Sequence, residues 1–185
     1  MSGHSKWSTI KHKKAITDAK KSKIFSKISS LITIAAKKGG DPDKNPTLRA
    51  AIENAREVNL PKDNVERAIK RGTGEVAGVQ LEEVTYGAFG PGGVAILISA
   101  VTDNKNRTLA EIKKILNENG AKFAEMNSIQ WMFKREGNDW LPNQPMKVEN
   151  PSIKQQLLAL YEALDDQQDV TEIYTTEEEI HLTEE

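Results

Sequence analysis

The chain of 185 residues contains no cysteine. Disulfides, zinc–thiolate sites and thiol catalysis are thereby excluded, and the lack suits a reducing cytoplasm. No apolar run is long enough to cross a bilayer. The first residues lack the apolar stretch of a secretory signal. The absence of arginine before Arg49 also departs from a mitochondrial transit peptide. Acidic residues are scarce at this end, with Asp18 alone among the first 38 positions. The GxSxG elbow, the HExxH zinc motif and the Walker loop are all missing. The acidic pairs Glu82-Glu83 and Asp165-Asp166 are sequence neighbours, so their side chains diverge. The expectation is a protein that is not an enzyme, with no cofactor, no metal, no small-molecule substrate and no membrane partner.

What fills the opening is lysine. Ten lysines lie in the first 38 positions of a chain whose formal net charge is −1. Residues 1–73 carry 17 Lys+Arg against 7 Asp+Glu, a balance of +10, and the remainder balances at −11. Such asymmetry points to nucleic acid at the basic end. Lysines that neutralise phosphates release condensed counterions, which makes binding tight and salt-dependent. Lys6, Lys11, Lys13, Lys14, Lys20, Lys21, Lys23 and Lys27, with His4 and His12 among them, form the candidate contact set. Trp7 is placed to stack on an unpaired base, or equally to cap a helical core. Two histidines eight residues apart without carboxylates make a poor metal site and serve better as phosphate or base contacts.

Periodicity divides the chain. Ile24, Ile28, Leu31 and Ala35 form a helical stripe, stopped by Gly39-Gly40. The stripe fails before Ile24, where Lys21 and Lys14 occupy its continuation, so the lysine run extends beyond the part that packs. Asn45 with Pro46 starts a second helix, and Leu60-Pro61 a third that Gly72-Thr73-Gly74 ends. From Leu81 the period changes to strands. EEVTYGAF and VAILISAV are joined by Gly90-Pro91-Gly92-Gly93, a hairpin turn rather than a phosphate cradle. Asn104 or Asn106 caps a helix carrying Leu109, Ile112, Ile115 and Leu116. Arg107 beside that N-terminus is a candidate anion contact. Ser128 to Phe133 reads as a strand, and residues 139–149, with two prolines, allow an edge strand at most. Pro151 opens a helix and Val170 to Tyr174 is the last strand. The class is α+β, with an antiparallel or mixed sheet covered by helices on one face.

The opening GHSKW…IKHKK…DAKKSKIFSKI resembles the signature of YebC/PmpR-type proteins. So do AAKKGGDPDKNPTLRAAIENAREVNLPKDNVERAIKRGTGE, YGAFGPGGVAILI and TDNKNRTLAEIKKILNENGA. Together they cover most of residues 2–133. The resemblance implies an N-terminal three-helix bundle followed by a ferredoxin-like antiparallel αβ domain, into which longer members insert a third domain. Here WMFKREG leads almost at once to a segment like the end of the second domain, so the third is expected to be absent. The expected units are a nucleic-acid-binding bundle over 1–75, an α+β domain over 81–176 and an acidic tail over 177–185. A glycine-rich linker from Gly72 to Gly78 should let the two units vary in angle, and residues up to about Asp18 should order only on a ligand.

The family implies cytoplasmic regulation of gene expression, either through ribosomal RNA and the ribosome or as a DNA-binding transcriptional regulator. The residues leave both open, and also leave open a protein-interaction module acting through the acidic C-terminal domain. Nothing in the sequence sets the oligomeric state.

Overall fold

The computed structural model describes residues 18–178. The opening segment expected to order on a ligand, and the tail beyond Glu178, lie outside them. Three helices come first: α1 (Asp18–Ala36), α2 (Pro46–Glu57) and α3 (Lys62–Thr73). Ile28, Ile32 and Ala35 of α1 meet Leu48 and Ala55 of α2, Leu60 of the connecting turn and Ala68 of α3 in one buried cluster. The chain reverses by named devices. The side chain of Asn45, 6% exposed, accepts from the Leu48 N–H at 3.1 Å. Its amide donates to the carbonyls of Ala35 and Gly39, both at 2.8 Å, which ties the first helix end to the second helix start. Asn59 adopts φ 57°, and the Leu60 N–H returns to the Ala55 carbonyl at 2.9 Å, closing α2 in a Schellman turn. Gly74, φ 81°, closes α3 in the same way.

The rest is a four-stranded antiparallel sheet in the order β3-β1-β2-β6, built from β1 (Glu82–Phe89), β2 (Ala95–Thr102), β3 (Lys122–Ala124) and β6 (Val170–Thr175). Helices α4 (Lys105–Glu118) and α6 (Pro151–Asp166) cover one face, where Ile96 and Ile98 of β2 pack with Ile112, Leu116, Leu157, Leu160 and Leu164. Alternate residues of the same strand, Ala95 and Leu97, face the other side. There they meet Ile129 and Phe133, contributed by a short helix α5 (Met126–Ile129) and by a two-stranded hairpin of β4 (Phe133–Glu136) and β5 (Asp139–Pro142). This α+β architecture of a helical start and an antiparallel sheet with helices is the one expected.

One expectation is corrected. Ser128 to Phe133 is not a strand: α5 ends at Ile129, a 3-10 turn runs over Gln130–Met132, and the strand starts only at Phe133. The apolar positions Met126, Ile129 and Met132-Phe133 recur every three to four residues, a helical spacing. It turns Ile129 onto Gly87 of β1, where an added Cβ would sit 2.6 Å from the Ile129 methyl. The tail also begins later than expected, because Glu177 bridges to Met146 and the Glu178 N–H donates to the Met146 carbonyl at 2.8 Å.

Candidate nucleic-acid interface

Of the predicted contact set, His4, Lys6, Trp7, Lys11, His12, Lys13 and Lys14 lie outside the described residues. Lys20, Lys21, Lys23 and Lys27 lie on α1. Lys20 is half-buried and Lys21 is exposed, its ammonium 5.8 Å from the centre of the Phe25 ring. Lys23 is exposed and leans on the end of α6: it donates to the Asp166 carbonyl at 3.0 Å, with the Asp166 carboxylate 4.0 Å away. A cation there also meets the negative end of the helix dipole.

Lys27 has to be withdrawn from the set. Its side chain is 3% exposed and its ammonium donates to both the carbonyl and the carboxylate of Asp165, the latter at 3.3 Å. Burial pulls its pKa below the usual lysine value, against the opposing pull of Asp165. A cation enclosed in this way has no face left for a phosphate. It joins α1 to the sheet domain instead. Lys37 adds a second tie, donating to the Leu81 carbonyl at 2.6 Å. These contacts run against the free variation in angle expected of a glycine linker.

Arg107 is corrected too. Asn104 caps α4 as expected, accepting from the Arg107 N–H at 3.1 Å. The guanidinium, however, lies 2.8 Å from the Asp103 carboxylate and 3.0 Å from that of Asp169. Hydrogen bonds to Asp169 and Asp103 push its pKa up. Asp169 also accepts from the Thr108 hydroxyl at 2.7 Å, and Thr108 bonds Thr102 at 2.8 Å. Two carboxylates already neutralise the arginine, and the cluster locks the end of β2 to the start of α4.

The sequence reading missed a second basic row. Arg67, Lys70 and Arg71 of α3 are exposed and make no ion pair among the described residues. Their spacing of three and four places them on one helix face, a signal present in RAIKR but overshadowed by the opening lysines. Lys38 and Arg56 are likewise exposed and unpaired there. Among the described residues the helical end thus keeps several unpaired cations even after Lys27 is removed. No group of three or more potential metal ligands occurs among the described residues, and no helix among them is long and apolar enough to cross a membrane.

Residues 5–75 match the TACO1/YebC protein N-terminal domain, and residues 81–138 match the TACO1/YebC second and third domain. A probable transcriptional regulatory protein of Dictyoglomus turgidum is 51% identical over 179 residues, spanning 96% of this chain and 72% of its own. The chain belongs to the TACO1/YebC family. Its similarity to a probable transcriptional regulatory protein of Petrotoga mobilis, 49% identical over 185 residues, again spans 72% of the relative. The crystal structure of a conserved hypothetical protein, Aq1575, from Aquifex aeolicus superposes with a TM-score of 0.82 at 29% identity, over 97% of this chain and 100% of that one. The match to the TACO1/YebC second and third domain stops at residue 138, in the turn between β4 and β5. That is where the departure from the family pattern was expected. The names these relatives carry are those of regulators, not of enzymes.

Proposed function

We propose that this TACO1/YebC protein is a cytoplasmic, nucleic-acid-binding regulator of gene expression, and that its principal target is structured ribosomal RNA. In this reading residues 1–75 grip the nucleic acid and residues 81–176 form a second unit that holds the first in place. The observation that carries it is the opening run of lysine without arginine. Lysine is a flexible point charge that attracts phosphates, whereas arginine supplies the fork that reads guanine edges. A surface of this kind follows the shape of a folded backbone and reads sequence poorly, which suits structured RNA better than an operator.

A second reading, DNA-binding transcriptional control, is favoured by the names of the relatives from Dictyoglomus and Petrotoga. Sedimentation with ribosomal particles at low and moderate salt, with and without nuclease, separates the two. Replacing Lys11, Lys13 and Lys14 by alanine should weaken RNA binding alike across sequences. It should also flatten the slope of log K against log salt by roughly 2–3 units, near one per lost phosphate contact. Loss of discrimination for one DNA sequence with ribosome association intact would instead establish the transcriptional reading.

A further inference from the structure

Helix α1 has two unlike faces. Ile28, Ile32 and Ala35 form the buried one. Roughly opposite, Ser22, Ser26, Ser29, Ser30 and Thr33 recur at helical spacing, with Lys23 at one end of the row and Lys37 at the other. A solvated helix back usually carries long charged side chains. Serine is a weak choice there because its hydroxyl competes for the backbone. This face is instead one wall of a groove of about 320 Å³. The opposite walls come from Arg71 at the end of α3 and from the connecting segment through Ala77, Gly78, Val79 and Leu81.

The groove holds donors that no described residue uses. The hydroxyls of Ser26, Ser29 and Ser30 make no hydrogen bond among the described residues, and the Arg71 guanidinium has no partner there either. The stem of Arg71 lies along the connecting segment, 3.5 Å from where a Gly78 Cβ would stand, and Arg71 is one of the residues that line the groove. Lys37 sits at the far lip through its bond to the Leu81 carbonyl. Among the described residues no acidic side chain lines the space. Packing of the connector against small side chains accounts for the serines alone; it does not call for an unpaired arginine among them.

We infer that this groove seats backbone phosphates of a bound nucleic-acid strand, with Arg71 supplying the charge and Ser26, Ser29 and Ser30 the neutral hydrogen bonds. The inference rests on the nucleic-acid reading above and assigns part of that surface to residues outside the lysine run. Convergent donors with one guanidinium fit a phosphodiester, for which arginine offers paired N–H groups. Ser26 to Thr33 rises roughly 10 Å along the helix axis, long enough for a strand to lie along it.

The test uses the full chain and a fluorescein-labelled RNA hairpin, with anisotropy read across a salt series and helix content checked by circular dichroism. Arg71→Gln should weaken binding about 3- to 10-fold and reduce the salt slope by about one unit. The triple change Ser26→Ala, Ser29→Ala and Ser30→Ala should weaken binding several-fold at an unchanged slope, because hydroxyls release no counterions. Lys62→Ala, at the other end of α3 where Lys62 pairs with Glu66 at 3.7 Å, should leave both quantities near wild type. Val79→p-benzoylphenylalanine should cross-link to the RNA. If both groove variants bind like wild type while the Lys11, Lys13, Lys14 variant is impaired, the groove is no phosphate seat and the nucleic-acid reading stands. If the wild type itself fails to bind RNA or DNA, that reading falls and the groove inference with it.

Discussion

Lys27 shows how a charge can serve a fold by being difficult to keep. Its ammonium is buried between α1 and the end of α6, and burial depresses its pKa from 10.5 while Asp165 opposes the fall. The unfolded chain therefore holds this proton more tightly than the folded one. Below the depressed value both states are protonated and the group adds no pH dependence. Between that value and 10.5 stability should rise with pH, and above it the curve should level again. Chemical denaturation from neutral pH to 10.5 should show this rise in the wild type and lose it in Lys27→Met. In Asp165→Asn the rise should begin at lower pH, since the charge that favours the ammonium is gone. A rise of equal size in Lys27→Met would assign it to other groups. Nothing in the local sequence distinguishes Lys27 from its neighbours. Its partner lies 138 residues away, and only the meeting of α1 with α6 separates it from Lys20 and Lys21, which make no ion pair among the described residues.

Among the elements, α1 and α3 approach each other tightly at Gly72. A Cβ there would stand 2.6 Å from the Ala36 Cβ and closer still to the Thr33 carbonyl. Alanine ordinarily gains about 1 kcal/mol over glycine in a helix, but overpacking costs about 1–3 kcal/mol. The sign should be set by the contact. Gly72→Ala should destabilise the protein by up to about 2 kcal/mol, read as a lower denaturation midpoint, and Ala36→Gly should restore part of the loss. A stabilised Gly72→Ala would mean that the two helices have room to part. The elements themselves were largely legible. The caps at Asn45 and Asn104, the glycine stops and the change of period at Leu81 all act over a few residues, where sequence speaks directly. The segment from Ser128 to Phe133 was misread because an apolar run this short fits either period, and burial of Ile129 on Gly87 decides it. The basic row Arg67, Lys70 and Arg71 was visible as spacing. The groove beside it was not, since its walls come from three separate segments.

For the whole molecule, the linker from Gly72 to Gly78 suggested a hinge, yet Lys23 and Lys27 fasten the helical end to α6, and Lys37 holds the Leu81 carbonyl just before β1. Small-angle scattering of the wild type should therefore fit one arrangement. Lys27→Glu sets a carboxylate against Asp165 in a buried place, a change worth about 3–5 kcal/mol when a buried pair is broken. It should broaden the scattering into a mixture while circular dichroism keeps its helix signal. A wild type that already needs a mixture would make the lysine contacts incidental. The order of the strands has a separate effect, on how the protein is made. β2 lies inside the sheet, and its neighbours are β1, immediately before it, and β6, the last strand among the described residues. Ala95 and Thr176, bonded at 3.0 Å, are 81 residues apart. While the chain is being synthesised, AILISAVT can pair along one edge at once, but its other edge stays bare until the final strand emerges. For that interval the growing chain offers an apolar template to any other copy nearby. A nascent chain halted before Val170 is therefore left with an open seam, and aggregation rather than a smaller folded protein is the outcome open to it.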